Sequence, residues 1–174
     1  MKGNLILTEE QSHQFNHSLE MLDSTLSELR RISRNLMPES LIKFGLIHAL
    51  SDFCEDLGSQ AEPRIRFQVY GDDRRFPPEL EVTAFRVVQE LVTNSLKHAE
   101  ASEINVVYIA QEGRLSLQVM DDGKGFDLSQ VDGSKSNGLK NIRDRVKAAE
   151  GTLDLQSSPG NGTEALIEFS YIKP

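Results

Sequence analysis

Apolar residues recur at intervals of three and four along the first part of the chain. They are Phe15, Leu19, Leu22, Leu26, Leu29, Ile32 and Leu36. This spacing predicts a helix over residues 15–36 with a narrow apolar stripe, of the kind that packs in a coiled coil or a helical bundle. The residue before a proline resists the helical conformation, so we expect the helix to end before Pro38. A helix with such a stripe needs a partner to cover it.

A second helical pattern follows Pro38 and is interrupted near Gly45. Beyond this glycine the apolar residues collect on one face, which consists of Leu46, Ala49, Leu50, Phe53 and Leu57. The pattern predicts a helix that packs by one side, after a break or a change of direction at the glycine. We assign residues 1–62 to a helical bundle segment and place a domain boundary at Pro63.

Segments of alternating polar and apolar residues begin after Pro63. This alternation predicts half-buried strands over residues 64–70, 103–110, 114–121, 152–158 and 163–172. Helical patterns lie between them, one starting at Pro77 and Pro78 and running to about His98, the other over about residues 139–150. For residues 63–174 we therefore predict an α+β domain. It would be a two-layer α/β sandwich whose mixed sheet is covered by helices on one face.

Composition narrows the classes of function. The net charge is −8, and no basic run is interleaved with aromatic residues. Nucleic acids are bound mainly through clustered Lys and Arg, so we expect no nucleic-acid partner. The single Cys54 cannot form an internal disulfide, which fits a reducing compartment. No apolar run approaches the roughly 20 residues that span a bilayer, and the first ten residues do not resemble a secretion signal. We expect a soluble, cytoplasmic chain, which could be a piece of a longer protein.

Four polar residues in the segment QELVTNSLKHAE share one side of the predicted helix. At roughly 100° per residue, Asn94, Lys97 and His98 fall within about 80° of Glu90 on a helical wheel, and apolar residues take the opposite arc. A polar helix face is usually only solvated. Here, however, a carboxylate, an amide, an ammonium and an imidazole converge. The face is therefore either a solvated surface or a metal and phosphate site.

Three loops with glycine follow this helix. The first, DDGKGFD, ends a strand with Asp121 and contains Gly123 and Gly125, where backbone can come close to a ligand. The second places Gly138 at the start of a helix, where free N–H groups and the helix dipole favour an anion such as phosphate. The third is the tight hairpin SSPGNGTE, with Gly160, Gly162 and Thr163. Each loop alone is a weak signal, but their order after the polar helix favours a ligand site.

The order of these motifs resembles the ATP-binding catalytic domain of sensor histidine kinases, whose ATPase superfamily includes DNA gyrase and mismatch-repair ATPases. QELVTNSLKHA is similar to its N box, DDGKGFD to its first glycine box, NGLKNIRDRV to its second and GNGTEALIEF to its last. The resemblance covers about residues 64–170 and implies the Bergerat-type ATP-binding fold, with ATP and Mg²⁺ as cofactors. Upstream, LRRISRNLMPESLIKFGLIHAL resembles the end of the dimerisation and phosphotransfer region in the nitrate-sensor and DesK-like subfamily.

The resemblance implies a role for each candidate residue. Asn94 matches the asparagine that coordinates Mg²⁺, and Glu90 matches an acid that polarises the phosphoryl acceptor or holds a metal-bound water. Lys97 and His98 match residues along the phosphates, and Asp121 matches the carboxylate that accepts a hydrogen bond from the adenine amine. The other matches contact the purine or the phosphates, or close the pocket; they are Gly123, Gly125, Gly138, Leu139, Gly162 and Thr163.

The same resemblance implies transfer of the ATP γ-phosphoryl group to a histidine and relay to a response regulator. In this subfamily an acidic residue follows the acceptor histidine, but none follows His13 or His17. We therefore expect the acceptor helix to be absent from this chain, so that the chain does not phosphorylate itself. His48 is expected to pack or to cap a helix. The apolar stripe implies a homodimer through the helical region, weakened because half of the usual bundle is missing, and a full-length protein could be membrane-anchored.

One position departs from the family pattern, since Ser136 replaces the first glycine of the second glycine box. The lid could then be stiffer or bind phosphate less closely. A competing class is the ATP-binding regulator of the anti-sigma-factor serine kinase type, which shares the nucleotide site but lacks a bundle helix at the Leu-Met-Pro segment. A third class, a structural module that has lost nucleotide binding, is disfavoured by Asn94, Asp121 and Gly125.

Overall fold

The computed structural model describes residues 14–16, 18–19, 21–22, 38–58, 63–130 and 137–171. The chain divides into two units, Met1–Pro38 and Glu39–Pro174. In the first unit, the described residues before Pro38 are helical, and their large apolar side chains are exposed: Phe15, Leu19, Met21 and Leu22. The rest of the predicted bundle helix, including His13 and His17, lies outside the described residues. The bundle assignment therefore stays a prediction.

The second unit contains helices and strands in an alternating order. In chain order they are α1 (Glu39–Phe44), α2 (Leu46–Gly58), β1 (Arg64–Gly71), α3 (Pro78–His98), β2 (Glu103–Gln111), β3 (Arg114–Asp121), a 3-10 turn (Leu128–Gln130), α4 (Asn137–Ala148), β4 (Thr152–Ser157) and β5 (Thr163–Ser170). The break between α1 and α2 falls at Gly45, as predicted. The last helix begins and ends slightly earlier than the sequence pattern predicted.

All five strands form one sheet in the order β1-β2-β3-β5-β4. The first strand pairs in parallel with β2, and the chain reaches β2 from β1 through α3. The other three pairs are antiparallel. Two of them are hairpins, β2–β3 and β4–β5. The mixed sheet predicted from the order of the elements is confirmed.

One face of this sheet packs against the helices and the other is mostly polar. Alternate positions of the central strands are buried, among them Ile104, Val106, Tyr108, Leu115, Leu117, Val119, Ala165, Ile167 and Phe169. They form one core with apolar side chains of α3 and α4, such as Phe85, Val88, Ile142 and Val146. The intervening positions include Arg66, Gln68, Gln118, Asp154 and Glu164. Burial of alternate side chains on one face gives the two-layer α/β sandwich that the alternation predicted.

Helices α1 and α2 belong to the same compact unit as the sheet. Their buried side chains are Leu41, Leu46, Ala49, Leu50, Phe53 and Cys54, and all are part of the core. The ring of Phe53 meets that of Phe85 on α3 edge to face, with 5.8 Å between ring centroids. The unit thus begins at Glu39, whereas the sequence placed a domain boundary at Pro63. An apolar helix face does not reveal in the sequence which layer it will cover.

The long helix α3 leads to the loop that follows β3. It begins at Pro78, whose ring suits the first helical turn. At its other end, Ala99 O accepts a hydrogen bond from the N–H of Lys124 at 2.8 Å. The carboxyl-terminal part of α3, which contains the N-box residues, is therefore fastened to the first glycine loop.

Candidate functional site

A cavity of about 470 Å³ lies between the carboxyl-terminal half of α3, the end of β3 and the start of α4. Its lining residues are Leu91, Asn94, Ser95, His98, Ala99, Val119, Asp121, Lys124, Gly125, Phe126, Gly138, Leu139, Leu155, Thr163 and Ala165. Seven of these residues have apolar side chains, six have polar or charged ones and two are glycines, and most of the lining surface is apolar. A mainly apolar pocket with convergent polar groups is typical of a site for an organic ligand.

Seven of the eleven site residues predicted from the sequence line this cavity. They are Asn94, His98, Asp121, Gly125, Gly138, Leu139 and Thr163. The other four, Glu90, Lys97, Gly123 and Gly162, are not among its lining residues. Lys97 is exposed. Its role along phosphates therefore remains a prediction without a contact to support it.

Glu90 and Asn94 lie together where α4 begins. A Cβ atom placed on Gly138 would lie 2.8 Å from Glu90 Oε1 and 3.7 Å from Asn94 Oδ1. Both side chains are half-buried, one helical turn apart on α3. Helix α4 therefore begins directly beside these two side chains. Glu90 thus lies beside the cavity, in contact range of a residue that lines it.

The Asp121 carboxylate is held from two sides. Ser95 Oγ donates to Oδ2 at 2.7 Å, and the N–H of Gly123 donates to Oδ1 at 3.0 Å. A carboxylate has about four acceptor positions, so two remain for a ligand. Sequence reasoning missed Ser95. The available signal was its place roughly 140° from Glu90 on the wheel, where a polar residue interrupts the apolar arc.

The first and last glycine loops are joined by hydrogen bonds. The N–H of Gly160 donates to Lys124 O at 2.7 Å. Ser157 Oγ accepts from the N–H of Phe126 at 3.0 Å and donates to Gly162 O at 2.8 Å. Ser157, which the sequence did not single out, thereby links one loop to the other. The first loop lines the cavity through Lys124, Gly125 and Phe126, and the last loop packs against it and contributes Thr163.

Close approach of backbone explains one glycine in each of these two loops. A Cβ on Gly125 would lie 2.1 Å from Ser158 O, and a Cβ on Gly162 would lie 2.0 Å from Asp121 O. Both residues also have positive φ, +57° and +68°. The predicted contribution of these glycines to a ligand site therefore includes a structural part, since they let the loops and β3 come together.

Two basic side chains, those of His98 and Lys124, line the cavity where it is open to solvent. Lys124 Nζ contacts Glu100 Oε1 at 2.6 Å. The hydrogen bond and the positive charge of Lys124 lower the pKa of Glu100. Lys124 was not predicted as a site residue, although it lies between the two glycines of the first loop. A cation at this place can offset the charge of an anionic ligand.

The donor set around Asn94 fits one kind of metal ion. Among the described residues, no group of three or more His, Cys, Asp or Glu side chains could hold a metal. Mg²⁺ keeps several waters and takes ligands from phosphates, so one or two protein oxygens are enough for it. The Asn94 amide and the neighbouring Glu90 carboxylate can supply them. Residues 131–136, with Ser136, lie outside the described part of the chain.

The remaining predicted features lie away from the cavity. His48 is exposed, and its ring centroid lies 5.8 Å from that of Phe44.

Within the described residues, no helix is both long enough and apolar enough to cross a membrane.

The fold and the cavity together define a two-layer α/β sandwich domain with a pocket for an organic ligand. A sequence model of the family described as histidine kinase-, DNA gyrase B-, and HSP90-like ATPase matches residues 79–172. The match covers more than half of the chain, and the chain belongs to this family.

Similar proteins of known class agree with this assignment. Over 150 residues the chain is 33% identical to the signal transduction histidine-protein kinase/phosphatase DegS of Brevibacillus brevis. Over 155 residues it is 32% identical to the sensor histidine kinase ComP of Bacillus subtilis (strain 168). Each match covers 86% of this chain, but only 39% of DegS and 20% of ComP. The chain thus corresponds to a minor part of these relatives.

Solved structures show the same fold. The blue-light activated histidine kinase of Erythrobacter litoralis EL346 aligns with a TM-score of 0.60 at 18% identity, over 98% of this chain and 62% of that one. The Acinetobacter baumannii histidine kinase AdeS aligns with a TM-score of 0.55 at 16% identity, over 97% of this chain and 87% of that one. At these identities the likeness concerns the fold alone.

Proposed function

We propose that the chain is the ATP-binding catalytic region of a two-component sensor histidine kinase. It would transfer the γ-phosphoryl group of ATP to a histidine on a helix that this sequence does not contain, for relay to a response regulator. The observation that carries the proposal is the cavity in which a fixed Asp121 carboxylate faces apolar walls, with Asn94 among the same lining residues. The names of the relatives DegS and ComP supply the kinase class.

Each part of the cavity suits one part of ATP. Asp121 would accept a hydrogen bond from the adenine amine, and apolar side chains such as Leu91 and Val119 would contact the purine. The start of α4, at Gly138 and Leu139, would offer N–H groups to the phosphates. His98 and Lys124 would offset phosphate charge from the exposed side.

The residues around Asn94 would position the reacting phosphate. Asn94 and Glu90 would hold a Mg²⁺ ion, which neutralises phosphate oxygens when bound. Glu90, beside the start of α4, would also polarise the incoming acceptor. Phosphoryl transfer depends mainly on positioning and charge neutralisation, so a site without a covalent nucleophile is sufficient.

The helical segment before the sheet would provide the interface with a second copy. Exposed Phe15, Leu19 and Leu22 in the first unit support this assignment. We propose that residues 1–62 belong to the dimerisation and phosphotransfer region and residues 63–174 to the catalytic domain, with α1 and α2 of the former packed into the core of the latter. We further propose a cytoplasmic location, a response regulator as partner and a full-length protein that can carry a membrane anchor.

Transfer from γ-labelled ATP tests the proposal. The chain is incubated with Mg²⁺ and labelled ATP, alone and with a separately made polypeptide that carries the acceptor helix of the full-length protein. We expect acid-labile label on the acceptor polypeptide and none on the chain. Asn94→Ala should reduce the labelling at least tenfold, because the metal loses its amide ligand.

Asn105→Ala is the matched control, since Asn105 lies on β2 and donates to Glu103 Oε1, away from the cavity lining. It should label the acceptor at the wild-type rate. Acid-stable label on serine would replace the proposal with the serine kinase class. Absence of any transfer by the wild-type chain would also contradict it.

A further inference from the structure

Ser95 is a polar residue on the buried side of α3. The residue is only 8% exposed, so its hydroxyl needs a hydrogen-bond partner inside the protein. A serine within a helix commonly donates to the carbonyl four residues earlier, as Ser18 Oγ does to Gln14 O at 2.8 Å. Ser95 Oγ donates instead to Asp121 Oδ2 on β3, at 2.7 Å. The hydroxyl therefore connects the helix layer with the sheet at the wall of the cavity.

The second bond to Asp121 has a different origin. The N–H of Gly123, which holds Oδ1, belongs to the loop that directly follows Asp121, so it moves together with that loop. Of these two bonds, the Ser95 bond is the one that relates the carboxylate to α3. The same helix carries Asn94, the next residue along the chain. Ser95 thus sets the direction of the Asp121 carboxylate relative to the rest of the cavity.

We infer that Ser95 is a positioning residue for base recognition, which makes the cavity selective for purines with an exocyclic amine. The inference rests on the proposed function, in which ATP occupies this cavity and Asp121 accepts from the adenine amine. Hydrogen bonds weaken steeply when their angle departs from linearity. Without the Ser95 hydroxyl, the Asp121 carboxylate can rotate and its Oδ2 can bind water, so the bond to the amine is weakened. Ser95 does not have to touch the base to exert this effect.

Two nucleotides measure the contribution of the amine. ATP is compared with purine riboside 5′-triphosphate, which carries hydrogen in place of the exocyclic amine, by calorimetry with Mg²⁺ present. In the wild-type chain, we expect ATP to bind about tenfold more tightly or better, as for a hydrogen bond to a charged group. In Ser95→Ala, we expect this ratio to fall to about threefold or less, mainly through weaker ATP binding. Alanine favours helix, so α3 should form in the variant.

Thr93→Ala is the control on the same helix. Thr93 is not among the residues that line the cavity, and its substitution should leave the ratio of the two affinities unchanged. Because the ratio compares two ligands of the same variant, it does not depend on a modest change in stability. Equal weakening of both nucleotides in Ser95→Ala would show that Ser95 only supports the fold, and the inference would be overturned while ATP binding stands. If the wild-type chain bound neither nucleotide, or did not distinguish them, the proposed adenine contact would fail and the inference with it.

Discussion

Two consecutive aspartates show how neighbours decide what a side chain does. Asp121 ends β3 and lines the cavity, where Ser95 holds it. Asp122 accepts from the N–H of Ser102 at 2.8 Å and of Glu103 at 2.9 Å, and also from Ser102 Oγ. These hydrogen bonds lower the pKa of Asp122 from its usual value of 3.8, and the bond from the Ser102 hydroxyl has the largest effect. Asp121 is available to a ligand, whereas Asp122 ties the loop to the start of β2.

The lowered pKa of Asp122 predicts a pH-dependent stability. A carboxyl group whose pKa is lower in the folded state stabilises the protein at pH values above its unfolded pKa. That contribution is lost as the pH falls through the folded pKa. Asp122→Ala should therefore be less stable than wild type at pH 7, with a difference that shrinks below about pH 4. Urea unfolding from pH 7 to pH 3.5 measures this difference.

Asp154→Ala is the control for this series, because Asp154 lies exposed on β4 and accepts a local hydrogen bond from Gln156, two residues away. Its effect should be small at every pH. A difference between Asp122→Ala and wild type that stayed constant down to pH 3.5 would contradict the assignment.

The β4–β5 hairpin shows that one turn can contain glycines with different functions. Gly160 and Gly162 both have positive φ, +83° and +68°. A Cβ on Gly160 would meet nothing within 4 Å, whereas a Cβ on Gly162 would lie 2.0 Å from Asp121 O. At Gly160 the turn requires only a left-handed backbone. At Gly162 the backbone of the hairpin also packs directly against the backbone of Asp121, which leaves no room for a side chain.

Alanine substitutions separate these two requirements. Gly160→Ala should cost about 1–2 kcal/mol in the free energy of unfolding, the strain of a left-handed alanine, and should leave ATP affinity unchanged. Gly162→Ala should cost roughly 2–5 kcal/mol, since overpacking adds to the strain. It should also weaken ATP binding more than tenfold, because the hairpin and Asp121 must move apart. Chemical unfolding and calorimetry measure the two effects, and equal losses in the two variants would refute the distinction.

Across the Glu39–Pro174 unit, a buried carboxylate fastens α1 to the beginning of α3. Glu81 is 1% exposed and accepts from Arg75 Nε at 2.9 Å and from the N–H of Phe76 at 2.9 Å. The guanidinium of Arg75 also lies 3.5 Å from the carbonyl of Ile42 on α1. Because Glu81 belongs to the first turn of the helix whose last turns line the cavity, α1 and the cavity are connected through α3.

Removal of the buried charge should weaken this unit as a whole. We expect Glu81→Gln to lower the free energy of unfolding by about 1–3 kcal/mol, because the charge-assisted bonds to Arg75 become neutral ones. Glu79→Gln is the matched control, since Glu79 lies in the same helical turn but is exposed, and it should cost less than about 0.5 kcal/mol. Urea unfolding compares the two variants. Similar effects in both would show that Glu81 acts only through the helix dipole.

The sequence pattern predicted much of this architecture because its signals are local. Alternation identified the five strands, the two prolines identified the start of α3, and Gly45 identified the break between α1 and α2. The order of motifs also pointed to Asn94 and Asp121, which both line the cavity. What it did not predict is the boundary of the compact unit at Glu39, because the core that α1 and α2 complete comes from distant strands.

Periodicity was sufficient to predict the types of element and the two-layer sandwich, and the resemblance of the motifs indicated the family, because each of these signals lies within a short segment of the chain. The contacts that hold the site together could be identified only in the tertiary structure. Ser95 meets Asp121, and Ser157 meets Phe126, across separations of 26 and 31 residues. The sequence around a serine does not indicate which distant residue its hydroxyl will contact. Packing of α3 on β3, and of one loop on another, decides which hydroxyl faces which acceptor.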